Sequence, residues 1–308
     1  MSELVVISGN GGTGKTSVVA ALAALAHPVV LADCNVDASN LSLVFEPRIV
    51  ERSPFFGGPK ARIEPGRCVA CGKCKELCRF DAVLFDGPGN GRVPPTYRID
   101  PIACEGCGVC VQFCTEGAIE FDLAECAQWF VSEIRCGLLV HARLAPGAGN
   151  SGRLVHHLRQ NARELAAQEG RLLLCDGAPG IGRPVIACLA GADLALLMVE
   201  PTRRSLHGLP RAFHLCRHFG IEAVVAINKW DINESLTEQI EAQVREWHLP
   251  SVGRIRYDPS VSEAQIQQKS VVEYDPAAGI AQDLRCLWES LESRLGKSQK
   301  QPDKCPAL

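Results

Sequence analysis

Gly9-Asn10-Gly11-Gly12-Thr13-Gly14-Lys15-Thr16 is the stretch from which the rest of the chain can be read. Ahead of it, Leu4–Ile7 is short, apolar and β-rich. Behind it, Thr16–Ala26 is rich in Ala and Leu and reads as a helix. Strand, glycine loop and helix in that order make a phosphate-binding loop. The backbone N–H groups of Gly11, Gly12, Thr13 and Gly14 can surround an anion, and the helix N-terminus at Lys15, Thr16 and Ser17 adds a favourable partial charge. In that setting Lys15 reaches the β/γ-phosphates of ATP and Thr16 binds Mg²⁺.

Working outward, Val29–Ala32 reads as a second buried strand ending at Asp33. Further β-type runs are Leu138–His141, Leu172–Cys175, Leu194–Val199 and Ala223–Ile227. Helical patterns occupy Gly152–Gln168, Ser205–Phe219, Glu234–Trp247 and Ala277–Leu295. Strands alternating with helices predict an α/β fold with a doubly wound, mainly parallel sheet. Leu172–Asp176 is an apolar strand ending in a carboxylate, suited to act through Mg²⁺. The small residues that follow, up to Gly180, can sense a γ-phosphate. Asn228-Lys229 follows another strand and can hydrogen-bond a purine base, although such a pair is often only a turn.

Residues 60–122 break this rhythm. Cys68, Cys71, Cys74 and Cys78 read C-x2-C-x2-C-x3-C, and Cys104, Cys107, Cys110 and Cys114 repeat that spacing. This is the ligand pattern of a bacterial-type ferredoxin with two [4Fe–4S] clusters, in which the fourth cysteine of each run serves the other cluster. One cluster would take Cys68, Cys71, Cys74 and Cys114; the other would take Cys104, Cys107, Cys110 and Cys78. Proline usually follows the fourth cysteine, whereas Arg79 and Thr115 do here. Zinc or structural thiols are the competing reading, but zinc sites close with two pairs of ligands rather than two such quartets. Turn residues such as Gly87-Pro88-Gly89-Asn90-Gly91 also crowd this segment. The expected organisation is a discontinuous ATPase domain (1–59 and 123–295), an inserted α+β ferredoxin domain (60–122) and a polar, disordered tail (296–308).

Composition sets limits on function. A net charge of −3 argues against a nucleic-acid partner. The longest apolar stretch, Val185–Val199, is broken by Gly191 and Asp193 and is too short for stable membrane insertion. No charged leader precedes Leu4, and free thiolates need a reducing compartment, so a cytoplasmic location is expected. The remaining eight cysteines are scattered, mostly in apolar runs, and read as core residues. His156-His157 reads as an exposed pair. Ile280, Leu284, Leu287, Leu291 and Leu295 form an apolar helical stripe expected to pack on the ATPase rather than on a membrane.

The phosphate loop, Asp33–Asn40, Asp176–Gly182, Glu200–Thr202 and Asn228-Lys229 resemble the MinD/ParA-type P-loop ATPases, the group that includes the nitrogenase iron protein. With the insert, the chain looks like the members of that superfamily that carry a ferredoxin domain. The resemblance implies an ATP-dependent homodimer or heterodimer with a related ATPase, and a redox or metallocluster partner protein. It also implies that Lys15, Asp33, Asp37 and Asp176 carry the ATPase chemistry. Two positions depart from the family pattern. Asn10 replaces a lysine that reaches across the dimer, and Asn35 replaces an aspartate that positions the attacking water. Asn supplies no positive charge and is a poor proton acceptor. ATP binding is therefore expected to stay largely intact while hydrolysis is slow, with Arg153 or Arg183 as candidate replacement charges and Asp37 as the replacement carboxylate. Three functions compete: an ATP-gated redox or metallocluster protein, a regulatory or positioning ATPase with sensory or structural clusters, and an amidoligase related to cobyrinic acid diamide synthases. The last usually needs a glutaminase domain, for which no room is expected after residue 295.

Overall fold

The computed structural model describes residues 1–87, 95–146, 148 and 151–298. The expected turn from Pro88 to Gly91 lies outside them. The strands are β1 (Glu3–Ser8), β2 (Val29–Asp33), β3 (Arg48–Ile63), β4 (Val83–Phe85), β5 (Tyr97–Ile99), β6 (Ile119–Ile134), β7 (Gly137–Leu144), β8 (Leu172–Pro179), β9 (Leu194–Val199), β10 (Glu222–Asn228) and β11 (Ser251–Ile255). The helices are α1 (Lys15–Ala26), α2 (Leu41–Phe45), α3 (Lys73–Leu77), α4 (Val109–Gln112), α5 (Ser151–Glu169), α6 (Arg183–Leu189), α7 (Arg203–His218), α8 (Glu234–Glu246), α9 (Ser260–Ile266), α10 (Val271–Tyr274) and α11 (Gly279–Ser298).

The main sheet runs β11-β10-β9-β1-β8-β2-β7-β6-β3. Its six pairings from β11 to β7 are all parallel. Buried on both faces, β1, β2, β8, β9 and β10 are built around nearly continuous apolar runs, as parallel sheets require. Leu4, Val6, Val29, Leu31 and Leu174 join one core with α1, α10 and α11. The alternate residues Val5, Ile7, Val30 and Leu173 are equally buried and point to the opposite face, by the two-residue period of a strand. The stripe Ile280, Leu284, Leu287, Leu291 and Leu295 is buried in the first core, as expected for a packed helix. No described helix is long and apolar enough to cross a membrane. Helix α11 continues through Ser298, so residues 296–298 do not begin a disordered tail; residues 299–308 lie outside the described part.

The chain divides into two compact units. One comprises Met1–Arg52, Trp129–Ala142 and Ser151–Leu308; the other comprises Ser53–Gln128 and Arg143–Asn150. The second is wider than the expected 60–122, because β3 and β6 continue into it as long strands. It holds the antiparallel pair β4–β5 and the short helices α3 and α4. Its small core gathers Cys68, Cys74, Cys78, Cys104, Cys110 and Cys114 with Ala61, Ile63, Ala82, Val83 and Ile119.

Two of the ion-pair groups in the first unit involve the strand β1 and the start of α10. Glu3 and Arg159 are almost fully buried and paired. Arg163 Nε donates to Glu3 Oε2 at 2.6 Å, and Arg159 also donates to the carbonyls of Ala187 (3.1 Å) and Ala190 (2.6 Å). Elsewhere, Arg135 Nε donates to Glu273 Oε1 at 2.6 Å, and Ser270 and Glu273 form a capping box that starts α10. Partial burial opposes ionisation of Glu273, but the hydrogen bonds from Arg135 and Ser270 outweigh it and hold the carboxyl at about 2. Folded below its ordinary value, this group gives stability that is fully present above about 4.5 and is lost as pH falls through 2. Partial exposure limits the amount to about 1–3 kcal/mol. Urea midpoints compared between wild type and Glu273→Gln should therefore converge as pH is lowered from 7 to 3. Equal separation at both pH values would refute this.

His157 departs from the expectation of an exposed pair. His156 is exposed, but His157 packs edge-to-face on Trp129 with ring centroids 5.1 Å apart.

Candidate functional site

The sheet order reverses at β1, which lies between β9 and β8, so the loop after β1 opens at a topological switch point. A pocket of about 1150 Å³ lies there. Gly11, Gly12, Gly14, Lys15, Thr16, Ser17, Asn35, Asp37, Ala178 and Pro179 line it, together with Leu43, Gln265 and Ile266. Thr13 and Gly180 do not. Thr13 is buried, with its hydroxyl unpartnered among the described residues. Gly180 instead ties its N–H to the Ser8 carbonyl at 2.8 Å.

Lys15 is 6% exposed, and its Nζ donates to Ser8 Oγ at 3.0 Å. Burial lowers its pKa, partly offset by the Asp176 charge. Thr16 Oγ1 donates to Asp176 Oδ2 at 2.6 Å. Asp176 is fully buried, and its Oδ1 has no partner among the described residues. An orphaned carboxylate oxygen beside a hydroxyl suits a hard divalent cation, which takes oxygen ligands. Thr16 and Asp176 thus fit Mg²⁺. Asp33, paired with Asp176 in the β2–β8 register, accepts from Ser39 Oγ (2.7 Å) and from the N–H groups of Asn35 (3.1 Å) and Leu41 (3.4 Å). Burial, with the Asp176 charge adding, pushes the Asp33 carboxyl up to about 7; burial pushes Asp176 up to about 6 against Thr16 and Lys15. A bound cation would relieve both.

The two departures from the expected pattern are held in place. Asn10 Nδ2 donates to Ser205 Oγ at 3.4 Å, and Asn35 Nδ2 donates to the Ala38 carbonyl at 3.1 Å. Asp37 is exposed on the pocket wall. Arg153 and Arg183 are exposed on α5 and α6 and are not among the residues lining the pocket.

Asn228 and Lys229 do something the sequence did not suggest. Asn228 Nδ2 donates to the Thr13 carbonyl at 2.9 Å, and a side chain at Gly14 would collide with that amide. Gly14 also has φ +82, so glycine is required twice over. Lys229 Nζ donates to the Gly12 carbonyl at 3.2 Å and pairs with Glu200 at 3.3 Å. Both residues buttress the phosphate loop. They also line a neighbouring pocket of about 270 Å³ with Tyr257 and Asp258. Sequence reasoning missed Ser8, Ser205, Gln265 and the Tyr257–Asp258 loop, none of which stands in a recognisable motif.

In the second unit, Cys68, Cys71, Cys74 and Cys114 line one hollow with Tyr97, Glu116 and Ile119. Cys114, from the second cysteine run, thus lines the same hollow as three cysteines of the first. Cys110 is half-buried; burial, then the nearby Cys104, Cys107 and Cys74, push its thiol up to about 11. Among the described residues, no three His, Cys, Asp or Glu side chains converge to hold a metal ion. A single tetrahedral zinc draws its sulfurs to about 2.3 Å from one point. Cys68, Cys71, Cys74 and Cys114 are spread along the lining of the hollow instead, and thiolates as ligands suit soft metals.

A family model described as the CobQ/CobB/MinD/ParA nucleotide binding domain matches residues 4–271. A relative from Methanocaldococcus jannaschii, described as "Uncharacterized protein MJ0578", is 33% identical over 234 residues, which is 75% of this chain and 79% of that protein. The septum site-determining protein MinD from Pyrococcus horikoshii, solved with Mg-ADP, superposes with a TM-score of 0.58 at 16% identity, covering 97% of this chain and 99% of that one. The Cyanothece McdA(D38A)–ATP complex gives 0.56 at 15% identity, covering 96% of each chain. The MinC:MinD complex from Aquifex aeolicus gives 0.56 at 16% identity, covering 100% of this chain and 99% of that one. At these identities the structural likeness speaks for the fold.

Proposed function

This chain belongs to the CobQ/CobB/MinD/ParA nucleotide-binding family, and from that premise we propose that it is an ATP-binding iron–sulfur protein. Nucleotide binding would gate electron transfer or metallocluster assembly, and intrinsic hydrolysis would be slow. One observation carries the reading. The same chain has a phosphate loop beside an unpartnered Asp176 oxygen and a hollow lined by Cys68, Cys71, Cys74 and Cys114.

Adenine nucleotide is supported by two proteins of like fold, one solved with Mg-ADP and one with ATP. Lys15 would neutralise phosphate charge, and Thr16 and Asp176 would hold Mg²⁺. Asp33 would be ionised by the cation, and Asp37 would face the nucleotide from the pocket wall. Asn10 and Asn35 are neutral and already hydrogen-bonded, so neither stabilises charge developing on a transferred phosphate; this supports slow turnover and a need for a partner. A homodimer, or a heterodimer with a related ATPase, follows from the family, and a redox or metallocluster protein is the proposed client. When bound, the iron–sulfur clusters would accept and release single electrons. Cys68, Cys71, Cys74 and Cys114 would hold one, and Cys104, Cys107, Cys110 and Cys78 the other.

The test is a redox titration of the anaerobically reconstituted full-length protein with and without Mg-ATP. ATP is expected to shift at least one midpoint potential, about 59 mV for each tenfold change in nucleotide affinity on reduction. Clusters that bind but do not shift would favour a second reading, a regulatory or positioning ATPase with sensory or structural clusters. The septum site-determining MinD and the MinC:MinD cell division complex, both of like fold, support that alternative.

A further inference from the structure

Gly72 and Gly108 hold the same place in the two cysteine runs, directly after Cys71 and Cys107. Both adopt left-handed backbone, φ 80° and 74°, as the N-caps of α3 and α4. Each faces the tip of an aromatic ring. A methyl group added at Gly72 would lie 3.2 Å from the Tyr97 hydroxyl, and one added at Gly108 would lie 3.3 Å from Phe121 Cζ. The repeat therefore sets a phenol against one run and a phenyl against the other.

Tyr97 lines the hollow of Cys68, Cys71, Cys74 and Cys114. It is steadied by pairing with Phe85 across β4–β5, with ring centroids 5.2 Å apart in an edge-to-face contact. Among the described residues its hydroxyl has no hydrogen-bond partner. No described cysteine sulfur accepts from this phenol, so its donor is left over for the sulfur of a bound group. The same hollow already directs the Ala118 N–H at Cys114 Sγ, 3.4 Å away. Phe121 has nothing to donate.

We propose that Tyr97 makes the two cluster sites inequivalent. Its hydroxyl donates a hydrogen bond to sulfur at the site of Cys68, Cys71, Cys74 and Cys114, so that this site holds the centre of higher potential. The inference rests on the iron–sulfur reading above. Reduction adds one electron to a centre and makes it more negative; no proton moves, and the phenol O–H stays intact. A donor aimed at sulfur stabilises that added charge and raises the potential. An electron from a low-potential donor would then settle at the Tyr97 site, and the site facing Phe121 would be reduced only in passing.

The experiment uses full-length protein, reconstituted anaerobically and assayed for iron and sulfide. It is then titrated with dithionite and followed by electron paramagnetic resonance. Wild type should show two separated potentials. Tyr97→Phe should lower the higher one by about 59 mV, a tenfold change in the one-electron equilibrium, and leave the lower one in place. Phe121→Tyr should raise the lower one. Fully loaded variants with unmoved potentials, or a Tyr97→Phe variant that moves both equally, would overturn the role given to Tyr97. Wild-type protein that takes up no iron would overturn the iron–sulfur reading itself, and this inference with it.

Discussion

Lys15→Ala is expected to weaken ATP binding by roughly 30-fold to several-thousand-fold, the equivalent of about 2–5 kcal/mol for removing one partner of a buried charge pair. The size follows from how the empty site holds this ammonium. Its neighbour within hydrogen-bond reach is the neutral Ser8 hydroxyl, and among the described residues it has no carboxylate within ion-pair distance. Burial already disfavours its charge. A phosphate arriving in the pocket therefore adds counter-charge to the partial compensation that Asp176 gives. Because the lysine is poorly compensated without ligand, its removal should leave the empty protein folded. Titration calorimetry with Mg-ATP, alongside a thermal melt of the empty variant, measures both effects. An affinity within threefold of wild type would show that the loop backbone alone carries the phosphates.

The largest stability effect should come from Arg159. Arg159→Met leaves Glu3 almost fully buried, with the half-exposed Arg163 as its remaining cation. Breaking a buried pair from one side costs about 3–5 kcal/mol, which for a chain of this size lowers the melting temperature by roughly 6–20 °C. The double variant Glu3→Leu with Arg159→Met removes both charges and should recover most of the loss, since apolar replacement of a whole buried pair is often neutral. A double variant no more stable than Arg159→Met would mean that the arginine's bonds to the Ala187 and Ala190 carbonyls, which tie α5 to the C-terminal end of α6, matter more than its charge.

The parallel half of the sheet was legible in sequence because β1, β2, β8, β9 and β10 are apolar runs, with helical patterns after β1, β9 and β10. β3 was not. Arg48–Ile63 carries Pro54, Pro59 and Gly57-Gly58, which read as turn signals, and only a strand at the margin of a sheet tolerates them. Helix α6 was hidden because Pro184 opens it and Val185–Leu189 merges with the apolar stretch leading into β9. At the nucleotide pocket, Lys15, Thr16 and Asp176 announced themselves by motif. Asn228 and Lys229 were read as base contacts, and their work on the loop became visible only when Gly14 and Gly12 were seen beneath them, a contact between residues more than two hundred positions apart. The cysteine quartets were expected from spacing alone, whereas Tyr97 and Phe121 belong to no motif.

In the sheet, β3 and β6 are neighbours at one margin, beyond the parallel strands that hold the phosphate loop. The chain thus departs along one strand and returns along the strand beside it. A short turn joining those two strands would leave every parallel pairing unchanged. Changes of length in the chain between β3 and β6 would likewise leave the strands on either side of the phosphate loop in register.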